Sequence, residues 1–117
     1  MKSLTIVSVK CVKLSSGSSG YPDDLYIKVN GSKVWPSGKL YESIGLQQTK
    51  AVGYTLPLGD KVTIQLWDSD KVSADDLLGY LNLGEDGSFK DGSFTYLVQN
   101  GDEDSNGSIY EINIKIS

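Results

Sequence analysis

Apolar and polar residues alternate in short runs along the whole chain, and the runs are separated by clusters of Gly, Ser, Asn and Asp. Residues 4–14, rich in β-branched side chains and free of any helix cap, end in Ser-Ser-Gly-Ser-Ser-Gly, which predicts a strand and then a loop. Residues 25–29 and 33–35 flank Asn30-Gly31, the strongest short-range signal for a hairpin. A weaker strand is expected over 46–52, after which Pro57-Leu58-Gly59-Asp60 turns the chain. Residues 61–67 alternate cleanly, with Val62, Ile64 and Leu66 on one face and Lys61, Thr63, Gln65 and Trp67 on the other. Further strands are expected over 79–83, 93–98 and 108–116. No long helix and no internal repeat emerge. Eight short strands with turn-rich connections predict an all-β, eight-stranded antiparallel β-sandwich with Greek-key connections, filling one domain over residues 1–117.

In such a sandwich each connection carries the chain from one end to the other. If the loop at 15–23 lies at the top, so do the connections at 36–45, 68–78 and 99–107. Asp23, Asp24, Asp68, Asp70, Asp75, Asp76, Asp102 and Asp104 then share one end, whereas Asp60, Asp86 and Asp91 fall at the other. The alternation therefore predicts an acidic cap.

Composition narrows what that cap can do. The chain of 117 residues has a formal charge of -4, so it lacks the basic face that a nucleic-acid binder needs, and no nucleic-acid partner is expected. It has no histidine and a single cysteine, Cys11, which excludes an internal disulfide, Cys-rich zinc motifs and the usual proton shuttle. The apolar run 4–9 is short, is interrupted by Ser8 and meets Lys10, so it fails as a signal-peptide core. No segment reaches the length of a membrane span. A cytoplasmic protein, at most peripheral to a membrane, is the expectation.

The densest motif is residues 66–79, Leu-Trp-Asp-Ser-Asp-Lys-Val-Ser-Ala-Asp-Asp-Leu-Leu-Gly. Two aspartates one residue apart, Asp68 and Asp70, project from a curving loop toward a common point. A third, arriving six residues later, can close a cage of hard oxygens. Calcium suits such a cage because it tolerates irregular oxygen coordination. The loop is not an EF-hand, since the central glycine, the terminal glutamate and the flanking helices are missing.

Asp68-Ser69-Asp70 followed by Asp76-Leu77-Leu78-Gly79 resembles the third calcium-binding loop of C2 domains, such as those of synaptotagmins and protein kinase C. Asp23-Asp24-Leu25-Tyr26-Ile27-Lys28-Val29 resembles the Ser-Asp-Pro-Tyr-Val-Lys-Val segment that closes the family's first loop, and Cys11 and Leu14 fit the end of its first strand. The resemblance implies Asp24, Asp68, Asp70 and Asp76 as calcium ligands, with the Ser69 carbonyl and Ser73 as auxiliaries. The family's first loop-one aspartate falls at neutral Ser18, a deficit that Asp23, Asp102 or Asp104 would have to make good. The family's Asn-Pro-aromatic segment is missing, and 29–61 is short.

The resemblance further implies calcium-dependent binding to an anionic phospholipid membrane, with Val72, Ala74 and Tyr21 as the contacts and only weak insertion. The alternative is a β-sandwich that binds a protein partner, itself or a sugar, with structural calcium. No enzyme is expected, because Asp-rich turns on a domain this small offer no evident substrate cleft. Simpler roles stand beside these: solvated turns for Asp102-Glu103-Asp104, packing for Trp35, Trp67 and Cys11, and scattered surface charge for Lys28, Lys33, Lys39 and Lys50.

Overall fold

A computed structural model describes residues 2–15, 20–59, 61–71, 74–84, 89–99 and 107–117. Nine strands run β1 (Ser3–Lys13), β2 (Asp23–Val29), β3 (Ser32–Trp35), β4 (Glu42–Ile44), β5 (Thr49–Pro57), β6 (Val62–Asp68), β7 (Asp76–Leu83), β8 (Gly92–Gln99) and β9 (Ile109–Ile116), with no helix among the described residues. They form two antiparallel sheets, β5-β1-β9-β8 and β3-β2-β6-β7, with β4 also paired to β2.

Strand periodicity decides which side chains meet between the sheets. Leu25, Ile27 and Val29 of β2 and Val62, Ile64 and Leu66 of β6 face Leu4, Ile6, Val9, Tyr110, Ile112 and Ile114 of the other sheet, all buried in one core. The turn at Asn30-Gly31 takes positive φ at both residues (50° and 87°), the twist that a two-residue hairpin requires. Cys11 packs in the core, as its apolar neighbours suggest.

The expected eight strands and the observed nine differ for a local reason. β3 pairs with the far half of β2 (Ile27↔Trp35, Val29↔Ser32) and β4 with its near half (Asp23↔Ile44, Leu25↔Glu42), both antiparallel. They are two pieces of one edge strand, interrupted by residues 36–41, so the alternation of ends survives. The strand expected over 46–52 shifts to Thr49–Pro57, because Gln47 adopts φ 63° and Gln48 N–H donates to Gly45 O at 3.1 Å, closing a turn. Leu46, which suggested an earlier start, is 58% exposed. At the acidic end the strands reach further than expected: β2 begins at Asp23, and β7 begins at Asp76 rather than Gly79.

Candidate metal centre at the acidic end

Three adjacent strands bring their carboxylates together. Asp68, the last residue of β6, is the cross-strand partner of both Leu25 on β2 and Asp76 on β7. The Asp24 amide donates to Asp68 Oδ1 at 2.8 Å, and the Ser69 amide donates to Asp24 O at 2.8 Å, which locks the ends of β2 and β6 in register. Asp24, Asp68 and Ser69 are half-buried, whereas Asp70 and Asp76 are exposed. Burial pushes the Asp68 carboxyl up to about 6; the Asp24 amide opposes this, and the charges of Asp23, Asp24 and Asp76 add to it. The ion pairs Lys2–Asp91, Lys39–Glu42 and Lys50–Glu42 among the described residues include none of Asp24, Asp68 and Asp76.

Asp23 departs from a ligand's position. It shares the inward parity of Leu25 and Ile27, is 1% exposed, and accepts hydrogen bonds from Tyr110 OH and from both the Oγ and the amide of Ser15. Expected as a compensating ligand, it is turned into the protein and already bound there, because β-strand alternation sends its side chain toward the core.

The donor set is chemically suited to a hard divalent cation, since it offers carboxylate oxygens whose mutual repulsion a cation relieves. As placed, no three carboxylates among the described residues stand around one point that could hold a metal ion. Ser18, Val72, Ser73, Asp102, Glu103 and Asp104 lie outside the described residues. Tyr21 (73% exposed) and Ala74 are exposed.

No sequence family and no curated protein matches the chain. Solved structures do. One of a C2 domain is 16% identical with a TM-score of 0.57, covering 100% of this chain and 99% of that one. A C2 domain of plant Extended Synaptotagmin 1 is 12% identical with a TM-score of 0.51, covering 99% and 92%. CC2D1B, a protein of the mitotic reformation of the nuclear envelope, is 13% identical with a TM-score of 0.58; 97% of this chain spans 53% of that one. This chain has the C2 fold.

The close packing of β7 on β8 accounts for Gly79, the last residue of the motif over 66–79. Its φ is 156°, and a Cβ there would lie 2.4 Å from Val98 Cγ1 and 3.0 Å from Gln99 O, so only glycine lets β7 approach β8 this closely. On the outer face of β2 and β6, Tyr26 stacks on Trp67 with centroids 6.3 Å apart, and Lys28 Nζ lies 4.9 Å from the Trp67 ring centroid. The other lysines read as scattered surface charge are engaged as well: Lys33 donates to the carbonyls of Pro36 and Lys39, while Lys39 and Lys50 pair with Glu42.

Three functional partners escaped the sequence reading. Asp75 accepts from Tyr26 OH and from the Asp70 amide at 2.9 Å, which ties the third loop to the outer face. The Tyr26 hydrogen bond, and then the Asp70 amide, hold the Asp75 carboxyl below its usual range; burial and then Asp75 push the Tyr26 phenol up to about 12. Ser15 and Tyr110 are the other two. Tyr110 left a signal, since it occupies an inward position in line with Ile112, Ile114 and Ile116, where a phenol must find a polar partner.

Proposed function

We propose that this C2-fold protein is a calcium-binding module whose acidic end docks on an anionic phospholipid membrane. One observation carries the reading: the half-buried Asp68 carboxyl sits among the charges of Asp23, Asp24 and Asp76 and is pushed up to about 6. Such a group gains most from a cation. Asp24, Asp68, Asp70 and Asp76 would hold it, with the Ser69 carbonyl and Ser73 as auxiliaries. When bound, calcium would supply positive charge at this end and open coordination sites for lipid phosphates.

The chain's own residues do the rest. The Asp24 amide keeps Asp68 Oδ1 oriented, and Asp75 holds the Asp70 amide so that the third loop stays folded against Tyr26. With the site empty, the clustered carboxylates repel one another and a negative membrane. Tyr21, Val72 and Ala74 would touch the headgroups, and their modest apolar bulk keeps the contact shallow. The structural likeness supports the scaffold, and the charge supports the metal.

The test is calorimetric titration of chelator-free protein with calcium and then magnesium. Sedimentation with vesicles of phosphatidylcholine, alone or mixed with phosphatidylserine, follows. Calcium uptake with calcium-dependent pelleting on the mixed vesicles is expected. Calcium uptake without pelleting would assign the ion a structural role in a protein-, self- or sugar-binding sandwich. No uptake would refute the metal reading.

A further inference from the structure

We infer that Asp23 is a positioning residue: its buried carboxylate clamps the start of the first loop and the opposite sheet onto the strand that carries Asp24, and it holds the neighbourhood of Asp68 in place without taking a cation itself. The inference rests on the calcium reading above for its binding consequence and on geometry alone for its structural one.

Three donors from the β1/β9 side of the sandwich converge on this one side chain of β2. Tyr110 OH of β9 and the Ser15 amide both reach Asp23 Oδ2, the amide at 3.2 Å, and Ser15 Oγ reaches Oδ1. Tyr110 is fully buried and Asp23 is 1% exposed, so the protein donors replace water on both oxygens. A cation at Asp23 would have to displace them. The same Ser15 hydroxyl lies 3.5 Å from Asp68 Oδ2, whose partner oxygen holds the Asp24 amide. Tyr110, Asp23, Ser15, Asp68 and Asp24 therefore form one contiguous chain from the core of one sheet to the rim of the other.

Charge acts along with geometry. A fixed carboxylate behind Asp68 deepens the negative potential at the rim from a position that solvent does not screen. It offers a cation the benefit of an additional acid without an additional ligand.

Asp23→Asn keeps the shape and removes the charge; Tyr110→Phe keeps the ring and removes one donor. The measurements are calcium isotherms and, separately, amide hydrogen exchange in the chelated protein. Expected is a rise in the calcium dissociation constant of about tenfold in each variant, the usual scale for losing an outer-shell partner. Exchange at the Ser15, Asp24 and Ser69 amides should speed up by a similar factor, about tenfold, while Ile27 and Ile112 keep their protection.

Uniform acceleration at all amides would reduce Asp23 to a general stabiliser and overturn the inference. Unchanged affinity with local loosening would overturn it too. If the wild type takes up no calcium, the calcium reading fails and the exchange pattern alone decides the clamp. Should Asp23→Asn fail to fold, Tyr110→Phe carries the test.

Discussion

Replacing Asp68 by asparagine should make the empty protein more stable and the calcium response weaker. The folded-state carboxyl is at about 6 against an ordinary value of 3.8, so ionised Asp68 disfavours the fold at neutral pH. The rise from 3.8 to about 6 corresponds to about 3 kcal/mol. Because the group is only half-buried, solvent screening reduces this to about 1–2 kcal/mol. Asparagine keeps the Oδ1 acceptor that holds the Asp24 amide at 2.8 Å and gives up only the long 3.5 Å approach of Ser15 Oγ to Oδ2, so little of the gain is offset.

In chelator at about pH 7.5 the variant should melt roughly 4–8 °C above the wild type. The pH dependence has a definite sign. A raised carboxyl contributes stability that is complete below its unfolded value of 3.8 and is lost as pH rises through about 6. The wild type should therefore gain on the variant between about pH 7.5 and pH 5, with the gap closing. Saturating calcium should reverse the order, since a ligand at about a hundred times its dissociation constant adds about 2.7 kcal/mol to the wild type. Melting curves across pH, with and without calcium, check all three. A variant that melts at or below the wild type at about pH 7.5, with a parallel pH profile, refutes the reasoning.

Asp70→Asn should weaken calcium binding by about tenfold, or roughly 1.4 kcal/mol, while leaving the chelated melting curve near that of the wild type; calorimetry reads the loss. Gly79→Ala forces a Cβ to 2.4 Å from Val98 Cγ1 and should cost about 2–4 kcal/mol, seen as a large drop in the urea midpoint. Asn30→Ala loses both a residue that tolerates φ 50° and the 2.9 Å bond from the Thr63 amide to Asn30 Oδ1, so about 1–2 kcal/mol should go in the same assay.

Alternation in 61–67, the Asn30-Gly31 turn and the regular spacing of turn residues were enough to specify the sandwich, because each reports a local rule that tertiary packing reinforces. The edge strand was harder. Glu42, Ser43 and Ile44 have no alternation of their own and become a strand only because β2 offers an unpaired edge. Asp23, Asp24, Asp68, Asp70, Asp75 and Asp76 were legible as a group, since parity alone sends them to one end, but their division of labour was not. Asp23 and Asp24 are neighbours in sequence, yet one faces the core and the other the rim. The difference depends on where β2 starts, and on a tyrosine 87 residues away. Asp75 likewise depends on Tyr26, a contact 49 residues apart that no local pattern encodes.

The two free sides of the sandwich are not alike. At Gly79 and Val98 the sheets close on each other, but the opposite side exposes β5 and the broken strand of β3 and β4. Neither offers a long straight ladder. β5 is kinked where Val52 and Gly53 together face Val7, with Gly53 at φ 69°, and residues 36–41 divide its neighbour. A second copy arriving edge-on would meet short stretches out of register with one another, which hinders strand-to-strand fusion. Copies crowded side by side on a surface could thus remain separate molecules, each free to leave when its own hold is released.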